Sequence, residues 1–308
     1  MELGIYISIW INFYSTFELI FGNTYFLSFS VCISDINEDI GKNTTKELRE
    51  TFGENKVTFF ACDVTKQEDW EALWNHAEDY FSDQVTLLVN NAGVGPQIGW
   101  KKCIDIMLVG TALGVFLAVE KMSTSKGKKG GRIINIASMA GLLEGMRNLD
   151  ETGYSMAKFG VVALTRNFAL QGRQGPWKKD GVKAMALCPW FAKTKLVTDA
   201  TSIEALEEKF NQKGRGMPLK LKLLEVPEVA DKFMQCLKLD KSGACYVVFP
   251  DCPLIDFPNV SYFWVFAMIS FGQYILQPLN LQSFGMSTFI IFCILVCMFV
   301  YFCLSLLF

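Results

Sequence analysis

The sequence predicts an α/β domain built on a doubly wound parallel sheet, on three observations. Short apolar, β-branched runs recur along the middle of the chain. Longer amphipathic runs of helical period separate them, which is the pattern of a parallel sheet covered on both faces. Small polar residues cluster where the apolar runs end, and sheets of this kind hold ligands beyond the carboxyl ends of their strands. At 308 residues the chain is long enough for one large domain or one domain with an appendage.

Taken in order, VCISDI (31–36), VTFFA (57–61), VTLLVN (85–90), RIINIA (132–137), VKAMALC (182–188) and ACYVVF (244–249) read as strands. Helical patterns cover 45–53, 66–82, 100–123, 154–172 and 227–238. The polar stretch 195–226 follows a strand end, where a substrate-covering lid would sit. Both ends of the chain depart from this alternation. Residues 3–30 are apolar and aromatic, broken by Glu18. They are read as an atypical N-terminal segment (1–30) ahead of the main domain (31–256). The last part, 257–308, is an apolar tail whose final run, 289–308, carries no charge over 20 residues. As a helix that run spans ~30 Å, one hydrocarbon thickness. A transmembrane helix, a hairpin with 260–276 or a buried helix pair all satisfy the pattern. Membrane association through 289–308 with a cytoplasmic catalytic domain is the expectation, and a wholly cytoplasmic protein is the alternative.

Composition excludes several functions. The 29 basic and 31 acidic residues leave a net charge of −2, so no basic field recruits nucleic acid. The 10 cysteines form no CxxC and no zinc-type spacing, which predicts reduced thiols and no metal. His76 is the only histidine and lies in a polar helical pattern. Ser-His-Asp hydrolysis and His-ligated metal catalysis are therefore disfavoured. The run 125–132 reads as a polar turn, and 213–222 as a solvated lid edge.

The chemistry sits at successive strand ends. VCISDIN ends a strand at Asp35, whose carboxylate can accept both hydroxyls of an adenine ribose and would repel a 2′-phosphate. FFACDVT places Asp63 after the next strand, within reach of an adenine amino group. LVNNAGVG brings Asn90, Asn91, Ala92 and Gly93, small enough for backbone to approach a nucleotide. IINIASMAG presents Ser138, and YSMAK comes sixteen residues later, with Tyr154 and Lys158 at i and i+4 on one helix face. A free phenol titrates near 10. A buried ammonium beside it favours the phenolate, so the pair is expected to work as an acid and base at neutral pH.

These elements resemble the short-chain dehydrogenase/reductase family over 31–253. The resemblance implies a Rossmann-type fold and an oxidoreductase that moves hydride between a small-molecule secondary alcohol or ketone, of which a lipid-derived hydroxyl is one candidate, and NAD. It implies Tyr154 as acid/base, Lys158 as its partner on the nicotinamide ribose, and Ser138 on the reacting oxygen. It further implies cofactor contacts from Asp35, Asp63, Val64, Asn90, Asn91, Gly93 and Thr194 of CPWFAKT, and a homo-oligomer. The chain also departs from the family pattern. The opening TGxxxGxG is absent, since the first 40 residues contain only Gly4 and Gly22 and the turn region reads WINFYSTFELI. Met107 in DIMLVG replaces an asparagine that supports a proton-relay water, and Trp190 replaces a glycine beside the nicotinamide. The Ser138-to-Tyr154 interval is longer than usual, through the polar loop EGMRNLDETG. These departures predict an atypical first βα unit. They also raise a second reading: a catalytically impaired, membrane-associated relative without a working glycine-rich loop.

Overall fold

A computed structural model of the chain describes residues 5–10, 30–142, 149–174, 180–198 and 222–257. The chain divides at Phe257 into two units, and 258–308, with the apolar tail, lies outside the described residues. So do most of the polar 195–226 stretch and residues 11–29.

The strands are β1 (Ile5–Trp10), β2 (Ser30–Asp35), β3 (Val57–Ala61), β4 (Val85–Asn90), β5 (Gly131–Ile136), β6 (Val182–Pro189), β7 (Cys245–Val248) and β8 (Ile255–Asp256). They form one sheet in the order β3-β2-β1-β4-β5-β6-β7-β8. Every pairing is parallel except the last, β7 with β8. The order reverses between β1 and β4, so the crevice for a ligand opens where Trp10 and Asn90 end their strands.

β1 corrects the sequence reading. Composition sets the N-terminal segment outside the sheet, yet Ile5–Trp10 runs through its middle, pairing Trp10 with Asp35 and Ile9 with Asn90. Uniform apolarity over residues 3–30 offers no contrast of period, so the strand is invisible in sequence until its neighbours claim it. The sequence after β1 is still atypical, with no glycine between Trp10 and Gly22.

The helices are α1 (Glu38–Phe52), α2 (Gln67–Phe81), α3 (Trp100–Met122), α4 (Leu149–Gln174), α5 (Lys195–Thr198) and α6 (Val226–Leu239). α1 starts earlier than its hydrophobic pattern because Asn37 caps it, accepting the Ile40 N–H at 3.0 Å, with Glu38 and Asp39 in the first turn. Alternation along each strand assigns the two faces. Val31, Ile33, Leu87, Val89, Met185 and Leu187 pack with α1 and α6. Cys32, Leu88, Ile133 and Ala184 pack with Trp70 and Trp74 of α2 and Val115 and Val119 of α3. Trp70 and Trp74 are fully buried. Each removes roughly 200 Å² from water, worth ~5 kcal/mol of transfer free energy before ordering costs. Among the described residues α3 alone is long and apolar enough to cross a membrane, and here it is a core helix between α2, α4 and the sheet.

Candidate active site

The carboxyl end of β5 and the start of α4 form one corner. Ser138 follows the strand with extended backbone and heads a single 3₁₀ turn, Met139–Gly141, its Oγ accepting the Ala140 N–H at 3.1 Å. Gly141 lets this turn lie directly on α4: a Cβ there would stand 2.5 Å from the Lys158 carbonyl oxygen. At the front of α4, Gly153 sits on Trp100 of α3 in the same manner, a Cβ falling 2.4 Å from the Trp100 Cα. Tyr154, one turn inside α4, is thereby carried close to Ser138, near enough for the serine hydroxyl to favour the ionised phenol. Lys158 follows on the same helix face. Its Nζ donates to the Ile136 carbonyl at 2.8 Å and lies 5.9 Å from the Tyr154 ring centroid.

The electrostatics depart from the sequence expectation. Burial pushes the Tyr154 phenol above its ordinary value, against the lowering effect of the Ser138 hydrogen bond, and the Cys103 thiol adds to the rise. Lys158, 5% exposed, is lowered to about 8 by burial. The ammonium turns toward the end of β5 to satisfy its donors, so desolvation outweighs its pull on the phenol. Burial thus favours the neutral phenol of Tyr154. Ile136 and Cys103 are site residues that sequence reasoning missed. No motif marks a backbone carbonyl, and a lone cysteine in a helix carries no signal.

Met107 is buried beside Tyr154, Cys103 and Ala157, within a π-helical stretch of α3, Ile104–Val109. Its carbonyl accepts the Thr111 hydroxyl at 2.6 Å, so both its side chain and its backbone oxygen are taken up inside the protein. Trp190 turns toward Phe249 and Phe191, ring centroids 5.1 and 4.9 Å away, on the α6 side of the sheet.

At the other end of the crevice, Asp35 is 4% exposed and its Oδ1 accepts the Asn37 N–H at 2.7 Å. The Asp63 carboxylate accepts both the N–H and the hydroxyl of Thr65, at 3.0 and 2.7 Å, so it shapes its own turn. Val64 is buried, and its carbonyl accepts Trp70 Nε1 at 2.9 Å, which ties the same turn to the core. The two asparagines after β4 separate. Asn90 points into the sheet, donating to Asn135 Oδ1 at 2.8 Å. Asn91 Nδ2 is buried and has no protein acceptor. Gly93 has room for a Cβ, with only the Asn91 carbonyl near, at 3.6 Å, so packing does not demand glycine there. Thr194 is buried with its N–H on the Ala192 carbonyl at 2.8 Å, at the neck where Ala192 pairs with Leu224.

The described donors fit a dinucleotide. A buried carboxylate ends β2, an orphan amide donor follows β4, and a buried lysine stands beside Ser138 and Tyr154. Of the departures behind the impaired reading, the residues after β1 lie outside the described ones, whereas Met107 packs beside Tyr154 and Trp190 against Phe249, and Ser138, Tyr154 and Lys158 still come together.

Comparison with known proteins agrees with this geometry. The chain is 33% identical over 181 residues to human 15-hydroxyprostaglandin dehydrogenase [NAD(+)], covering 59% of this chain and 63% of that protein. It is 33% identical over 177 residues to trans-4-hydroxycyclohexanecarboxylate dehydrogenase of Sinomonas cyclohexanicum, covering 54% of this chain and 63% of that one. The matches thus span under two thirds of these relatives. In structure, it superposes on a short chain dehydrogenase/reductase of Burkholderia phymatum in complex with NAD with a TM-score of 0.62 at 20% identity, over 81% of this chain and 90% of the other. A variant actinorhodin polyketide ketoreductase with NADPH gives 0.63 at 22% identity, over 80% and 95%. The short chain dehydrogenase family model matches residues 27–205, more than half of the chain. The protein belongs to the short chain dehydrogenase family.

Proposed function

We propose that the protein transfers hydride between a secondary alcohol or ketone and NAD, and that the alcohol is the hydroxyl of a lipid-derived chain. The observation that carries this is the convergence of Ser138, Tyr154 and Lys158 at the end of β5, on the same sheet edge as Asp35. NAD, when bound, supplies the hydride acceptor. Ser138 donates a hydrogen bond to the reacting oxygen. In the reducing direction the neutral Tyr154 phenol donates its proton to that oxygen. In the oxidising direction the phenol must first give up its proton to solvent, and the phenolate oxygen then takes the proton of the substrate hydroxyl as the carbon–hydrogen bond breaks. Lys158, with a pKa of about 8, is largely an ammonium at neutral pH and supports the phenolate that this direction needs. Asp35, Asn91, Lys158 and Thr194 would hold the dinucleotide, and the Asp35 carboxylate favours a ribose without 2′-phosphate. The test is NADH formation with a panel of secondary alcohols, prostanoid and other lipid hydroxyls included, beside Tyr154→Phe. Equal rates for the two proteins would remove Tyr154 from the chemistry.

A second copy of the chain would cover the face of α3 and α4 where Trp100, Val109, Phe116, Met156 and Phe159 are exposed. Sedimentation of wild type against Phe116→Glu reads this directly: a dimer that persists in the variant rules the face out. Membrane attachment, with the dehydrogenase domain in the cytoplasm, is a separable reading carried by the charge-free run 289–308. Recovery of the full chain in the supernatant after alkaline carbonate treatment of membranes would dismiss it.

A further inference from the structure

We propose that Thr165 and Asn135 are positioning residues for the Tyr154–Lys158 pair, setting the register of α4 on the sheet through a buried chain of hydrogen bonds. This rests on the reading of Tyr154 and Lys158 as the reacting pair. Asn90 and Asn135 are cross-strand partners in β4 and β5. Asn90 Nδ2 donates to Asn135 Oδ1 at 2.8 Å, Asn135 Nδ2 donates to Thr165 Oγ1 at 2.9 Å, and the Thr165 hydroxyl donates to the Val161 carbonyl at 2.8 Å. Asn135 and Thr165 are fully buried. The donors all run in one direction, so each bond polarises the next, and a chain left half-made in this interior strands a buried amide.

Thr165 lies seven residues after Lys158, two helical turns on and on the same face. α4 is therefore gripped twice by consecutive residues of β5: Lys158 by the Ile136 carbonyl, and Thr165 by the Asn135 side chain. Between these grips the contact is made by small side chains, Val161 and Val162 of α4 against Ala137, Ala186 and Cys188, with Leu164 and Phe168 packing on either side of Thr165. Such a surface attracts the helix but resists sliding weakly, because an apolar contact has no preferred direction. A hydrogen bond has one, and a displacement of a few tenths of an ångström weakens it. The register that places Tyr154 beside Ser138 is thus held by polar groups three turns along α4. Valine would fill the volume of Thr165 equally well, and a buried hydroxyl costs free energy unless its bonds are used.

Three variants test this. Thr165→Val removes the hydroxyl at constant shape, Thr165→Ser keeps it, and Thr165→Cys leaves a weak hydrogen-bonding group if Thr165→Val does not fold. The readouts are kcat, the KM for NAD, the melting temperature, and the titration of Tyr154 by NMR of ring-labelled tyrosine, assigned through Tyr154→Phe. Thr165→Val is expected to lose kcat by roughly tenfold or more, with a displaced Tyr154 titration and a smaller rise in the KM for NAD, which Lys158 helps to hold. Thr165→Ser should restore all three, and Thr165→Cys should fall between. A Thr165→Val protein that melts lower yet keeps the wild-type kcat and Tyr154 titration would overturn the proposal, leaving the chain as a stability element. If the wild-type protein turns over no alcohol, the functional reading fails by itself. The NMR titration still decides the positioning role, since it needs no substrate.

Discussion

The two ends of the crevice are built differently. At the catalytic end each functional group is held by a group distant in sequence: Lys158 by Ile136, Tyr154 by Ser138, and the 3₁₀ turn of Ser138 by its close seat on α4 through Gly141. At the nucleotide end the carboxylates are held locally, Asp35 by the N–H of Asn37 and Asp63 by Thr65. Local turns keep their shape even if a neighbouring element shifts, whereas a site assembled across a helix and a strand keeps its geometry only while the two stay in register. Substitutions at the catalytic end should therefore disturb both stability and turnover, and those at the nucleotide end mainly cofactor choice.

The sharpest test of this contrast is Tyr154→Phe. Loss of the acid/base should lower turnover by roughly 10²–10⁴-fold, with an unchanged circular dichroism spectrum and bound NADH fluorescence. Lys158 comes next, because its contribution depends on pH. Burial lowers its folded pKa to about 8, whereas the unfolded chain keeps an ordinary lysine. Below pH 8 the ammonium is buried in the folded state at a cost. Above it the folded protein sheds the proton that the unfolded chain still holds, so stability rises with pH between about 8 and 10.5. Lys158→Met removes this dependence: the unfolding free energy of wild type in urea should gain on that of the variant across that window, by on the order of 3 kcal/mol. A constant gap would show that Lys158 is not desolvated.

Gly141→Ala should cost about 2 kcal/mol in thermal unfolding, because the new methyl meets the Lys158 carbonyl, and it should lower kcat as well. A variant that loses stability but keeps full turnover would sever the coupling argued for this end of the crevice. The smallest effect belongs to the nucleotide end. Asp35→Ser should shift the NAD-to-NADP preference by roughly tenfold, the worth of one ribose contact, with the melting temperature little changed. A large loss of stability there would mean that the Asp35 turn supports the fold and is not merely local.

Much of this is legible in the residues alone. The strands from β2 to β7 are short β-branched runs bounded by polar turns, and the structure moves their ends by at most one residue. The proposed trio Tyr154, Lys158 and Ser138 stands out in the sequence because its spacing and order along successive strand ends are local properties of the chain. The hydrophobic period of α1 begins seven residues late, since the helix start is marked by the Asn37 cap and not by apolar spacing. β1 escapes because a strand flanked by equally apolar residues has no periodic signature; only its hydrogen-bonded neighbours distinguish it.

The sequence by itself determined the alternation of strands and helices from β2 to β7 and the residue types at those strand ends, since these follow from propensity and spacing. The tertiary structure alone decided which groups those residues meet. It turned Lys158 to the Ile136 carbonyl, favoured the neutral phenol of Tyr154, committed Asn90 to Asn135, and placed Ile5–Trp10 in the centre of the sheet. Burial and the direction of a hydrogen bond arise only when distant segments close on one another, and they set the charge state of the site.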